Sequence, residues 1–168
     1  PMGAMAIGGM YGVLPEAGSA ASLSVSMVGF IRDVVTQLRR GLDGFWVAHP
    51  DFVRTGIALV QAHRTGRLFE LVDALIPDPL ERARLHDFLR SPDVPGLASD
   101  DPRYRLGVLA ANVDTSPVIA NNDPREVRYN VFQALQYLAD WLSGSGCVAL
   151  PATMTNAAGE AVFVRIMD

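Results

Sequence analysis

The sequence predicts a parallel α/β fold, and three observations carry that prediction. Residues 4–10, Ala-Met-Ala-Ile-Gly-Gly-Met, are a short apolar run that closes on a glycine pair. A helical repeat follows, and then a second apolar run, Phe45-Trp46-Val47, halts at His49-Pro50. Beyond that turn Val53, Ile57 and Val60 recur at helical spacing. Strand, helix, strand, helix implies two parallel strands joined by a crossover. Two parallel strands do not make a stable sheet alone, so residues 1–65 read as the last part of a larger α/β barrel or open sheet.

Each element has its own local reason. From Ala21 to Arg40, Met27, Val28, Ile31, Val34, Val35 and Leu38 fall on one helical face. Arg32, Asp33, Gln37 and Arg39 lie opposite, and Gly41 ends the helix. Phe45, Trp46 and Val47 favour a strand, and Pro50 cannot continue a ladder. After Thr65-Gly66 the pattern becomes helical, over Leu68–Ile76 and over Pro79–Leu89, the latter with Asp78 as N-cap and Pro79 at N1. Ser91 to Pro102 is a loop rich in proline and aspartate. Leu106–Val113 is short and apolar, and helix and strand cannot be separated there. Asn121-Asn122-Asp123-Pro124 signals a helix start, and Val127, Val131, Leu135, Leu138 and Leu142 continue it to Gly144-Ser145-Gly146. Val148–Leu150 and Ala161–Ile166 are strand-like and are joined through Asn156-Ala157-Ala158-Gly159 as a hairpin. Residues 66–168 are therefore expected to form a mainly helical domain with a short terminal hairpin.

Composition narrows the function classes. The 168 residues are long enough for a real core and carry a net charge of -4. With no Lys/Arg-rich block there is no basic face of the kind that nucleic acid requires. Every one of the 14 basic residues is arginine, scattered along the chain, which reads as composition bias of the source. A single cysteine, Cys147, excludes an intramolecular disulfide and fits a cytoplasmic setting. No apolar stretch reaches membrane-spanning length. The start at Pro1 and the end straight after an apolar run suggest a piece of a longer polypeptide.

The chemistry-bearing residues are sparse. In parallel α/β folds ligands bind outside the carboxyl ends of strands, which places Trp46 and the His49-Pro50 turn where chemistry occurs. The competing reading is an ordinary βα unit with a buried tryptophan. His49 stands between a scaffold hydrogen bond and a chemical role. His63 and His86 lack the i, i+4 spacing of a helical metal site and are read as surface or packing residues. Asp100-Asp101 reads as a solvated turn, and Cys147, with no cationic neighbour in sequence, as an inert buried thiol.

Four segments, taken in order, carry a family resemblance. Asp43-Gly44-Phe45-Trp46-Val47-Ala48-His49-Pro50 resembles the Asp-Gly-Thr-Trp-Val-Ala-His-Pro segment of malate synthases, and Ala6-Ile7-Gly8-Gly9-Met10 is similar to the Ala-Ile-Gly-Gly-Met before it. Arg128-Tyr129-Asn130-Val131 through Gln136-Tyr137-Leu138-Ala139-Asp140-Trp141-Leu142 resembles the family's late helix, and Met167-Asp168 the start of its Met-Glu-Asp motif. The resemblance implies the last βα units of a (β/α)8 TIM barrel followed by a mainly α-helical C-terminal domain. It also implies a Claisen-type condensation of acetyl-CoA with glyoxylate, giving malate and CoA.

In that family Mg2+ binds glyoxylate, an arginine stabilises the enolate and an aspartate removes the methyl proton. Carried over, Trp46 lies by glyoxylate and thioester, Ala48 and Pro50 line the acyl-CoA path, and Met167 sits beside the base. The base falls on the residue after Asp168, or on Asp168 itself if the register shifts by one. No residue here matches the metal ligands or the enolate-stabilising arginine, so a chain of this extent is expected to be inactive alone. Phe45 stands where the family has threonine, and the Asn156–Gly159 turn looks inserted. Both departures point to a divergent branch whose acceptor could be another 2-oxo acid. A third reading is a non-catalytic helical interaction module.

Overall fold

A computed structural model describes residues 3–91 and 123–167. Strand β1 spans Ile7–Tyr11 and β2 Val13–Pro15. Helix α1 covers Ala20–Arg39, β3 Gly44–Val47 and α2 Asp51–Thr65. Helices α3 and α4 cover Leu68–Leu75 and Pro79–Arg90. Helix α5 runs Pro124–Leu142, and strands β4 and β5 run Ala149–Thr155 and Ala161–Met167. The loop expected from Ser91 to Pro102, including Asp100-Asp101, and the ambiguous Leu106–Val113 lie almost wholly outside the described residues.

Strands β1 and β3 pair in parallel, with Met10 opposite Trp46 and Tyr11 opposite Val47. Their entry is pinned by Asp43, whose N–H donates to Ala6 O at 2.8 Å. Its carboxylate also accepts from Ala6 N–H at 2.7 Å. Helix α1 connects the two strands, starting on Ser19, whose hydroxyl accepts from Ser22 N–H, and ending on Gly41 at φ +74°. Phe30, Ile31, Val34 and Val35 of α1 are all 0% exposed and form the centre of the core. Phe52 and Leu59 of α2, Val72 of α3 and Leu85 and Leu89 of α4 close around them. Helices α3 and α4 thus share the core of the βα pair. Asp78 caps α4, its carboxylate accepting from Leu80 N–H and Glu81 N–H at 2.9 Å each.

Sequence periodicity did not reveal β2 or the sheet it joins. Strands β2, β5 and β4 form an antiparallel sheet in that order. The expected hairpin is longer than its apolar residues suggest, pairing without a break from Ala149 opposite Met167 to Thr155 opposite Ala161. Strand β4 reads as Ala-Leu-Pro-Ala-Thr-Met-Thr, and the proline and threonines mask its extent. Val25 of α1 packs with Val162 and Val164 to give this sheet a small core of its own.

By contact the chain divides into residues 1–93 with 149–168, and residues 94–148. Within the second unit α5 begins on Asp123, whose carboxylate accepts from Arg125 N–H at 2.9 Å. Side-chain and backbone hydrogen bonds from Arg125 hold that carboxyl below its usual range. Val131, Leu135, Leu138 and Trp141 of α5 are exposed. Among the described residues no helix is long and apolar enough to cross a membrane.

Candidate functional site

The parallel pair sets the site because the carboxyl ends of its strands lie together. Tyr11 and Val47 are register partners at those ends. Gly12 follows Tyr11 directly, and its carbonyl accepts from Met167 N–H at 2.7 Å. Ala48, His49 and Pro50 follow Val47 as the turn into α2. Of the residues singled out from sequence, Trp46, Ala48, Pro50 and Met167 are therefore brought to one end of one strand pair. Met167 comes from a distant part of the chain. Asp168 lies outside the described residues.

Trp46 is 66% exposed, which overturns the alternative of a buried core tryptophan. Its neighbours in sequence do the packing, because successive side chains on a strand point to opposite faces. Phe45 sits edge-on to Phe30 with ring centroids 6.4 Å apart, and it fills the space that Gly56 leaves on α2. Phe45 and Val47 both pack against the core, whereas Trp46 and its register partner Met10 face away from it. His49 has a local structural role: its Nδ1 accepts from Asp51 N–H at 3.3 Å and lies 3.5 Å from the Asp51 carboxylate.

Beneath β1, on the helix side, is a polar cluster that the helical repeat only hinted at. Gln37 donates from Nε2 to Asp33 Oδ2 at 2.7 Å and to Gly9 O at 3.3 Å. A side chain at Gly8 would collide with Gln37, so Gly8 allows α1 to approach the strand closely, whereas a side chain at Gly9 would meet open space. Burial raises the Asp33 carboxyl above its ordinary range, against the opposing pull of Gln37 and Arg40. The Tyr11 hydroxyl is buried with no hydrogen-bond partner among the described residues. Burial first, and the Asp33 charge second, push its pKa strongly up.

The remaining candidates sort as packing or surface. His86 Nε2 lies 3.0 Å from Asp73 Oδ1 and its ring meets Phe69 at 5.2 Å, joining α4 to α3. Cys147 is exposed, correcting the expectation of a buried thiol. It closes a run of exposed residues that begins at Trp141, and burial starts only at Val148. Among the described residues no group of three or more His, Cys, Asp or Glu could hold a metal ion. A groove of about 390 Å3 runs along β3 and α2, lined by Phe45, Val47, Val53, Ile57 and Arg64 among others.

The family sequence model described as malate synthase, C-terminal, matches residues 121–165. Relatives match far more of the chain. A malate synthase of Oryza sativa subsp. japonica is 28% identical over 156 residues, 93% of this chain and 23% of that protein. A malate synthase of Myxococcus xanthus is 28% identical over 91% of this chain and 23% of its own length. Malate synthase A of Escherichia coli is 25% identical over 93% of this chain and 24% of its own length. The chain is related to the malate synthases through their C-terminal part. It spans about a quarter of the length of these relatives. No solved structure matches it.

Proposed function

We propose that this chain forms one wall of the acyl-CoA site of a malate-synthase-like enzyme whose complete form condenses acetyl-CoA with glyoxylate. The observation that supports this most is the bond of Met167 to Gly12, directly after the carboxyl end of β1, whose parallel partner β3 carries Trp46 and leads into the Ala48–Pro50 turn. In this reading residues 1–65 are the closing βα units of a (β/α)8 barrel, and residues 66–168 are the segment that follows, with α3 and α4 folded back onto α1 and α2. The groove along β3 is where a neighbouring βα unit would pack, because β3 pairs only with β1 among the described residues.

The reaction converts acetyl-CoA, glyoxylate and water into malate, CoA and a proton. Its difficulty is the methyl group, a very weak carbon acid whose enolate forms only beside a positioned base and preorganised positive charge. Trp46, Ala48 and Pro50 supply apolar surface that shapes the path and excludes water, and Met167 flanks the base in sequence. That base is Asp168 or the residue after it. The resemblance also brings Mg2+ as the group that binds glyoxylate. Among the described residues no group of three His, Cys, Asp or Glu fits such an ion, and in this reading its ligands come from upstream of the chain.

Phe45 does not favour a different acceptor. Its side chain is partly buried and packs against the core on the face opposite Trp46, so the exchange of threonine for phenylalanine repacks the β3–α2 contact and leaves the open face unchanged. The decisive assay is release of CoA from acetyl-CoA by the complete cytoplasmic protein with glyoxylate, compared with pyruvate and 2-oxobutyrate. Glyoxylate preference supports the proposal, preference for another 2-oxo acid replaces the substrate, and no release with any of them refutes it. The 168-residue chain alone should be inactive.

A further inference from the structure

The β4–β5 hairpin is anchored along its whole length. At its open end Met167 N–H donates to Gly12 O at 2.7 Å, and Arg165 Nε donates to Glu16 Oε2 at 2.7 Å. In the middle the Ser22 hydroxyl donates to Phe163 O at 2.6 Å. At its tip Ala157 N–H donates to Glu81 Oε1 on α4 at 2.7 Å.

The tip contact is unusual because Glu81 is only 4% exposed. Its Oε2 is buried with no hydrogen-bond partner among the described residues. A carboxylate enclosed with one oxygen unsatisfied opposes folding, and an apolar side chain would cover the same turn of helix at lower cost. What Glu81 provides in return is a fixed point for a strand pair whose other end is Met167. The strands pair without a register shift from tip to open end, so the hairpin is a continuous path from Ala157 to Met167.

We propose that Glu81 is a positioning residue: it fixes the hairpin tip on α4, and the hairpin in turn holds Met167 at Gly12, just past the carboxyl end of β1. This rests on the reading that Met167 flanks the reacting groups, and it adds a residue that no motif identifies.

The test uses three variants of the complete protein. Glu81→Ala removes the acceptor, and Glu81→Gln keeps an acceptor oxygen. Ala157→Pro removes the donor while leaving Glu81 in place. Gly159 N–H donates to Asn156 O at 3.1 Å, which puts Ala157 at the second turn position, where proline is favoured. Amide exchange in the peptide ending at Met167 should be about tenfold faster in Glu81→Ala and Ala157→Pro, and near the parent value in Glu81→Gln. In the same two variants kcat for CoA release should fall about tenfold while KM for acetyl-CoA and glyoxylate stays within about twofold.

Unchanged exchange at Met167 in both Glu81→Ala and Ala157→Pro would overturn the proposal. So would faster exchange with unchanged kcat, since the clamp would then be structural only. If Glu81→Ala does not fold, Ala157→Pro decides alone. A parent protein that releases no CoA refutes the proposed activity, and the exchange measurement still decides whether Glu81 controls Met167.

Discussion

The two faces of the β1–β3 pair are built from alternating residues of the same short strands, yet they differ in almost every respect. On one face Tyr11, Phe45 and Val47 meet Phe30 and Phe52, whose ring centroids are 4.5 Å apart. On the other, Met10 and Trp46 are 48% and 66% exposed. Burial makes the first face the source of folding free energy and leaves the second free to serve as a site wall. The contrast teaches that an aromatic residue in a strand cannot be assigned to core or site by type. Its parity along the strand decides.

The largest expected effect breaks the closed face. Phe30→Ala removes a side chain that is 0% exposed and touches three other rings, so unfolding free energy should drop by about 4 kcal/mol in a denaturant titration. A loss of less than about 1 kcal/mol would mean that the aromatic cluster is not the centre of the fold. Gly29→Ala comes next. A Cβ there would strike the Tyr11 hydroxyl, so about 2 kcal/mol should be lost, and pairing it with Tyr11→Phe should recover much of that by clearing the space.

Trp46→Ala tests the open face. Stability should change by less than about 0.5 kcal/mol because the ring is already in solvent. In the complete protein kcat/KM for acetyl-CoA and glyoxylate should fall at least about tenfold. If the stability loss equals that of Phe30→Ala, the two faces are not distinct. The smallest effect is expected at the polar cluster beneath the strands. Asp33 has a folded pKa above its ordinary value, so its ionised form opposes folding at neutral pH and that opposition is relieved as pH falls through the folded pKa. Asp33→Asn should therefore raise the melting temperature by about 2 °C at pH 7. The gain should vanish toward the ordinary aspartate pKa of 3.8. An advantage that grows on acidification would reverse the assignment.

Much of the fold was legible in the sequence because helical and strand periods are local. The repeat from Met27 to Leu38 marked the core face of α1, and Asp78-Pro79 and Asp123-Pro124 marked two helix starts. Strand β2 and most of β4 were hidden. Three residues ending in a proline carry no period, and Pro151, Thr153 and Thr155 break the apolar signal of β4. Part of the proposed site could also be named from the sequence. Trp46, Ala48 and Pro50 came from one contiguous segment, and Met167 from its likeness to a motif. Glu81 carried no signal, since its partner Ala157 lies far away in the chain. Asp33 and Gln37 were placed on the helix face opposite the core, and it is the distant strand β1, through Gly9 and Tyr11, that completes their cluster and helps to bury Gln37.

The sequence by itself determined the order of the elements apart from β2, most of the buried face of α1 though not Phe30 or Gln37, and the family to which the chain is related, because periodicity, capping and motif spacing are written in neighbouring residues. The tertiary structure alone decided that Trp46 faces outward, that Glu81 closes over Ala157 and that Met167 joins Gly12 at the end of β1. Those outcomes depend on strand register and on contacts between distant segments. A shift of one residue in register would send every side chain to the opposite face.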